Sequence, residues 1–249
     1  MINLLKMDLR RLFQGKMLYI MLAILTVVTC SSVLMVPATG NMVALFRATE
    51  KMDFLASNTG IGIIYMILGI MTTMFICNDY SSGFAKNVFS IHANKVDYIV
   101  SKIVTMMVAA GVLILVFTIE AFIITGILGR TMGIESVIGF ILFLYQKWLA
   151  AAMFIAISVF VSLLTRNKGV GCIMAFLIGS GGLVIGLELL FGMLGINGSL
   201  ILDATVFGTA QLPQMSATPL SVMRVLMVTA FWIIVYGFLG QKVLKSKDV

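Results

Sequence analysis

Residues 103–126 read IVTMMVAAGVLILVFTIEAFIITG, a run with a single ionisable side chain, Glu120. A helix rises about 1.5 Å per residue, so roughly 20 apolar residues cover the ~30 Å hydrocarbon layer of a bilayer. This run is long enough to do so. Five more of the same kind flank it: 17–36, 60–77, 148–165, 169–190 and 220–241. The pattern predicts an all-α integral membrane protein with six transmembrane helices, forming one domain over residues 1–249.

Composition agrees. Of 249 residues, 61% are apolar and 11% charged, with a mean hydropathy of +1.12; a soluble domain is about half apolar and about a quarter charged. Six spans leave no extramembrane stretch of the roughly 50 residues that a soluble catalytic domain needs.

The net charge of +7 follows from topology and does not call for nucleic acid. Cytoplasmic loops of membrane proteins collect Lys and Arg. With both termini inside, the inner segments hold twelve of the seventeen basic residues, from Lys6, Arg10, Arg11 and Lys16 through Lys86, Lys95, Lys102, Arg166 and Lys168 to Lys242, Lys245 and Lys247. The outer ones hold Arg47, Lys51, Arg130, Lys147 and Arg224. The run 17–36 exceeds the ~7–15 residues of a signal-peptide core, so it is read as the first span. Cys30, Cys77 and Cys172 fall in or at the ends of spans without CxxC spacing and read as small buried hydrophobes.

Residues 1–16 have helical periodicity. Ile2, Leu5, Leu9, Leu12 and Phe13 share one face, and Asn3, Lys6, Arg10 and Gln14 another. Either this is a basic orienting flank, or it is an interfacial helix leading into the first span. Leu4 and Met7 fall on the polar side, leaving room there for a protein contact. Residues 78–98 form the most polar inner stretch, long enough for one or two short helices.

Glu120 lies eighteen residues beyond Lys102, roughly 27 Å along a helix, and Glu188 lies at a similar height beyond Lys168, so both fall near the outer boundary. They pair with Arg130, Lys147 or Arg224, or they line an outward vestibule that helps a cationic cargo leave. A span from Val137 would place Gln146 and Lys147 in lipid, which is costly. The fourth span is therefore expected to start near Trp148, with 134–145 as an outer interfacial piece and Tyr145 and Trp148 at headgroup level. The basic turn 165–169 joins spans four and five. Gly182 and Gly186 have the GxxxG spacing that favours close helix approach. Residues 191–219, rich in Gly and Pro, are expected to form outer re-entrant helices, and the Lys-bearing tail anchors the last span.

Several chemistries are excluded. His92 is the only histidine and sits in a loop, so no serine–histidine protease site can form in the bilayer; HExxH and GxxxxGK[ST] are also missing. No catalytic, metal or cofactor site is expected.

Taken together, the chain resembles the membrane subunit of ABC exporters of the type-two permease class, including permeases for antimicrobial-peptide immunity and export. The most specific likeness is local: Asp79, Tyr80, Gly83, Phe84, Lys86 and Asn87, then Lys95, Tyr98 and Lys102. Many relatives have Glu where this chain has Asp79, and a proline where it has Ala93-Asn94. The resemblance implies an amphipathic connector helix carrying Lys6, Arg10 and Arg11, a cytoplasmic coupling helix between spans two and three, and re-entrant helices between spans five and six. It further implies two copies of an ABC ATPase that hold the ATP and Mg, a second permease forming a homo- or heterodimer, and residence in a bacterial plasma membrane. The cargo expected from largely apolar spans is amphipathic or hydrophobic, a peptide or drug. The competing readings are a non-transporting scaffold or sensor subunit and a stand-alone secondary transporter, although the latter often places broken helices and buried charge at midplane.

Overall fold

The computed structural model describes residues 2–34, 62–91, 95–127, 137–193, 195, 205 and 219–246, and every regular element among them is an α-helix. In chain order these are α1 (Ile2–Gln14), α2 (Lys16–Leu34), α3 (Ile63–Ser81), α4 (Phe84–Ile91), α5 (Lys95–Ile127), α6 (Val137–Thr165), α7 (Lys168–Gly179), α8 (Gly182–Met193) and α9 (Pro219–Ser246). Four of them, α3, α5, α6 and α9, are long and apolar enough to cross a membrane. The pair α1 and α2, bent by 52°, makes a fifth if counted together. Except for residues 191–193, 195, 205 and 219, the expected outer segment 191–219 lies outside the described residues, as does His92.

The expected fifth span is two helices. At its end the Ser180 N–H bonds back to the Phe176 carbonyl at 2.8 Å, and Gly181 follows at φ 77°. A left-handed glycine just past a helix is a stop signal, so α7 ends and α8 begins anew.

The fourth span also departs from expectation. It is continuous from Val137, with Gln146 and Lys147 inside it at 1% and 2% exposure. The expected break rested on the cost of a cation in lipid, but these side chains face protein. Gln146 Nε2 donates to Ser221 Oγ on α9 at 3.0 Å, and Lys147 Nζ lies 5.5 Å from the Phe143 ring. Trp148 donates its indole N–H to the Met107 carbonyl on α5 at 2.9 Å, a helix-to-helix contact.

α3 and α6 are the centre of the bundle, about 70% buried over their apolar windows (67% and 72%), whereas α9 is 11% buried. Tyr65 and Phe154 stack between the two central helices at 4.5 Å. Close approach of α3 and α7 rests on Gly171, Ala175 and Gly179, spaced four apart on one face. A methyl on Gly171 would meet Thr73 Cγ2 at 2.5 Å, and one on Gly179 would land on the Met66 backbone. Small-xxx-small spacing does set this packing, but not at Gly182 and Gly186: a methyl on Gly186 would meet nothing. Of the cysteines only Cys77 is buried; Cys172 is half-buried and Cys30 exposed, and all three are free thiols.

Candidate functional site

At one end of the bundle the chain turns sharply. Ser82 closes α3, with its N–H and Oγ both bonded to the Asn78 carbonyl at 3.0 and 2.7 Å. Gly83 follows at φ 73°, a conformation that disfavours any side chain, and α4 starts at the next residue. On α4, Ala85 and Val88 are buried while Lys86, Asn87 and Ser90 point outward. This eight-residue helix matches the expected short helix of the polar stretch 78–98, and its Phe89 ring packs 5.0 Å from Tyr98 of α5.

Beneath it is a buried ionic cluster. Asp79 Oδ1 accepts from Arg11 Nη2 at 2.7 Å, and Asp79 Oδ2 meets Lys102 Nζ at 2.6 Å and Tyr98 Oη at 3.0 Å. The same Lys102 ammonium reaches Asp8 Oδ1 at 2.7 Å, and Ser101 Oγ donates to Asp8 Oδ2 at 2.7 Å. Arg11 closes the ring, 3.7 Å from Asp8. Two carboxylates face two cations, so the cluster is neutral. The side chains of Asp8, Asp79 and Lys102 are fully buried.

Aromatic faces fill the remaining space. Arg11 lies 4.3 Å from the Phe84 ring centre and 5.3 Å from Phe75; Lys102 lies 4.7 Å from Phe75 and 4.9 Å from Tyr98. Attraction between cation and ring is stronger where water is excluded. The cluster therefore ties α1, α3, the first residue of α4, and α5 at one point. Buried ion pairs add little net stability compared with apolar packing, but removing one partner is strongly destabilising. Here the ion pairs join three helices, α1, α3 and α5, and the Phe84 ring adds α4.

Of the residues singled out from sequence, Arg11, Asp79, Phe84, Tyr98 and Lys102 meet in this cluster. Because Asp79, Tyr98 and Lys102 are buried, they do not offer a surface to a partner. Lys86 and Asn87 do. Lys6 and Arg10 are exposed on α1, with Arg10 Nε bonded to Gln14 Oε1 at 3.2 Å. Tyr80 stacks under the Arg166 guanidinium, 4.8 Å away, in the α6–α7 turn. In that turn the Asn167 side chain caps α7 through the Gly169 N–H at 2.9 Å. Lys95 Nζ reaches the Leu244 carbonyl at 2.6 Å, clamping the last turn of α9.

The α1 helix buries Leu4, Asp8 and Leu12; of the apolar face read from the wheel only Leu12 is buried, Leu5 and Leu9 are half-buried, and Ile2 and Phe13 are 77% and 43% exposed. The reason is the partner surface. Asp8 is drawn to Lys102 and Ser101, and the stripe one turn above and below it follows. The sequence reading missed Asp8 and Ser101; the available signal was the acid at the centre of a Leu4/Leu12 stripe with Arg11 three residues on.

The two carboxylates expected near the outer boundary lie apart from this cluster. Glu120 accepts a hydrogen bond from Thr26 Oγ1 on α2, and Glu188 is exposed on α8. Among the described residues, neither forms an ion pair with Lys147 or Arg224. Arg130 lies outside the described residues. No group of three or more metal-ligating side chains occurs among the described residues.

Compared with known families, residues 4–182 fit the model of the ABC-2 family transporter protein. A comparison with curated proteins finds no match. The fitted region runs from α1 to the start of α8 and contains the whole ionic cluster. It covers more than two thirds of the chain, which belongs to the ABC-2 transporter family and is a multi-pass membrane subunit of an ABC transporter, not itself the ATPase; the family implies an ABC ATPase as partner.

Proposed function

We propose that this subunit is half of an ATP-driven exporter for an amphipathic or hydrophobic cargo, a peptide or drug. In this reading α1 is the connector helix and α4 the coupling helix, both on the cytoplasmic side with the two termini. Six spans result if α2 and the α7–α8 pair each make one crossing, and residues 191–219 form the outer re-entrant cap. The setting is a bacterial plasma membrane.

One observation carries the proposal: the exposed face of α4, Lys86, Asn87 and Ser90, stands directly over the neutral cluster that binds α1, α3 and α5. Two ATPase copies closing on ATP would press on α4 and the Lys6/Arg10 face of α1. Since the cluster joins these helices at contacts of 2.6–2.7 Å, the push moves α3 and α5 as one body, not α4 alone. Lys95, bonded to the end of α9, extends the same body to the last helix. A second permease, the same chain or a homologue, covers the largely bare α9 and completes the pathway.

The mostly apolar outward surface of α9, including Met223, Phe231, Ile234 and Phe238, suits lipid and a second permease. Glu120 and Glu188 are the candidates for an outer vestibule that helps a cationic part of the cargo leave. Gln at both positions should slow transport and leave assembly intact.

The test is to purify the chain from its native membrane in mild detergent, identify what is retained and measure ATP hydrolysis. The expected result is a P-loop ATPase that is retained by the wild type and lost when Lys86 and Asn87 become Glu, with the permease still folded. A folded permease that retains no ATPase and hydrolyses no ATP would move the assignment to a membrane scaffold.

A further inference from the structure

Lys147 is the one fully enclosed cation outside the cluster among the described residues, 2% exposed and without a carboxylate in ion-pair reach. An ionisable group placed this way in a membrane bundle marks a site by default, because its charge is costly unless something answers it. Its position on the helix is informative. Long side chains on a helix lean toward the N-terminus, and the Nζ lies 5.5 Å from the ring of Phe143, four residues earlier. The ammonium is thus directed toward the Val137 end of α6, away from the ionic cluster.

That end of α6 meets the start of α3. Tyr65 Oη donates to the Lys147 carbonyl at 3.4 Å, and the Tyr65 ring stacks on Phe154 about two turns further in. α3 begins two residues before Tyr65. Its N-cap is Gly62, which makes no side-chain cap, and the first ladder bond runs from the Met66 N–H to the Gly62 carbonyl at 3.0 Å. The N–H groups of Ile63, Ile64 and Tyr65 therefore precede the ladder, at the positive end of the helix dipole. Phe154, which stacks on Tyr65, lies seven residues beyond Lys147 on the same face of α6, so Lys147 is on the side of its helix that faces α3, and its ammonium lies at the same end of the pair as the α3 N-terminus; both favour an anion.

We infer that the α3–α6 end, built from Lys147 and the first N–H groups of α3, binds the monoanionic headgroup of an amphiphile, a carboxylate or a phosphate. The amphiphilic part follows from what lies beside it. The next turns of α6 carry Val137, Ile138 and Ile141 at 70%, 72% and 59% exposure, an apolar strip along which an acyl chain can lie. The inference does not depend on ATP-driven export; binding is measured without an ATPase.

The protein is purified in a neutral maltoside detergent and probed by native mass spectrometry and thermal melting. One arm adds phosphatidylglycerol against phosphatidylcholine, the other laurate against methyl laurate. A response to the first anion alone assigns the site to membrane lipid; a response to laurate assigns it to free amphiphiles. Basic residues at the other end also attract anions, so Lys86→Gln is the control. Lys147→Gln should weaken anionic binding about tenfold, the order of one charge-assisted contact. Lys147→Arg should keep most of it, and Lys86→Gln should leave the tightest bound copy in place. Among the described residues Lys147 has no carboxylate partner to leave stranded, so Lys147→Gln is a usable variant. Equal binding of anions by wild type and Lys147→Gln, or equal responses to laurate and its methyl ester together with equal responses to the two phospholipids, would overturn the inference.

Discussion

Replacing Asp79 by Asn tests the cluster most sharply, since the change keeps the shape and removes one charge. In the native arrangement Asp79 receives Arg11 at 2.7 Å, Lys102 at 2.6 Å and Tyr98 at 3.0 Å. With Asn the cluster carries a net charge of +1, and Lys102, fully buried, keeps only Asp8 as counter-ion. Breaking a buried pair by removing one partner costs about 3–5 kcal/mol. The retained Asp8 contact and the one-third exposure of Arg11 argue for the lower end, about 3 kcal/mol. At roughly 2–4 °C per kcal/mol for a chain of this size, the melting midpoint should fall by about 6–12 °C. Melts are compared in one detergent at one scan rate, because unfolding of such proteins is commonly irreversible.

The double variant Asp79→Asn with Lys102→Met restores neutrality. If the two residues act as a pair, its loss should be smaller than the sum of the single losses by about 2 kcal/mol. A midpoint for Asp79→Asn within about 2 °C of wild type, less than 1 kcal/mol on that scale, would refute the reasoning. So would strict additivity in the double variant.

Three further outcomes follow from local geometry. Gly179→Ala, whose methyl would land on the Met66 backbone, should cost at least about 1–3 kcal/mol and lower the melting midpoint, since a backbone cannot step aside as a side chain does. Gly83→Ala meets no atoms within 4 Å, so only its left-handed backbone is penalised; a loss of roughly 1–2 kcal/mol in thermal melting is expected. Tyr80→Phe removes a buried hydroxyl that has no hydrogen-bond partner, and its melt should be unchanged or slightly higher, within about 0.5 kcal/mol of wild type or better.

Apolar runs made the long helices legible because lipid demands length and hydrophobicity wherever a helix crosses. Asp79, Phe84, Tyr98 and Lys102 were singled out through the family resemblance, as coupling residues; that Asp79, Tyr98 and Lys102 are buried together was not legible, because pairing across helices leaves no mark in a local pattern. Asp8 was not singled out at all. A helical wheel ranks faces by hydrophobicity, and α1 is held by a carboxylate on a stripe that the wheel scores as mixed. Of its apolar face Ile2 and Phe13 are left uncovered, while Leu12 is buried. Lys147 misled in the opposite direction: a sequence cannot say whether a charge inside an apolar run meets lipid or protein, so the run appeared to start at Trp148 when it starts at Val137. The Ser180–Gly181 break and the Gly171/Ala175/Gly179 seam escaped for a related reason. In a glycine-rich run, only the neighbouring helix decides which glycine is a stop and which is a contact.

The most direct measurement places a photo-crosslinking amino acid at Lys86, Asn87 or Ser90 on α4, and at Met227 on the bare face of α9 as control, in cells that make the native complex. The coupling account expects an ABC ATPase captured from the α4 positions and not from Met227, with capture lost in Gly83 variants that reorient α4. Capture of no ATPase from any α4 position, in a permease shown to be folded and inserted, would contradict it.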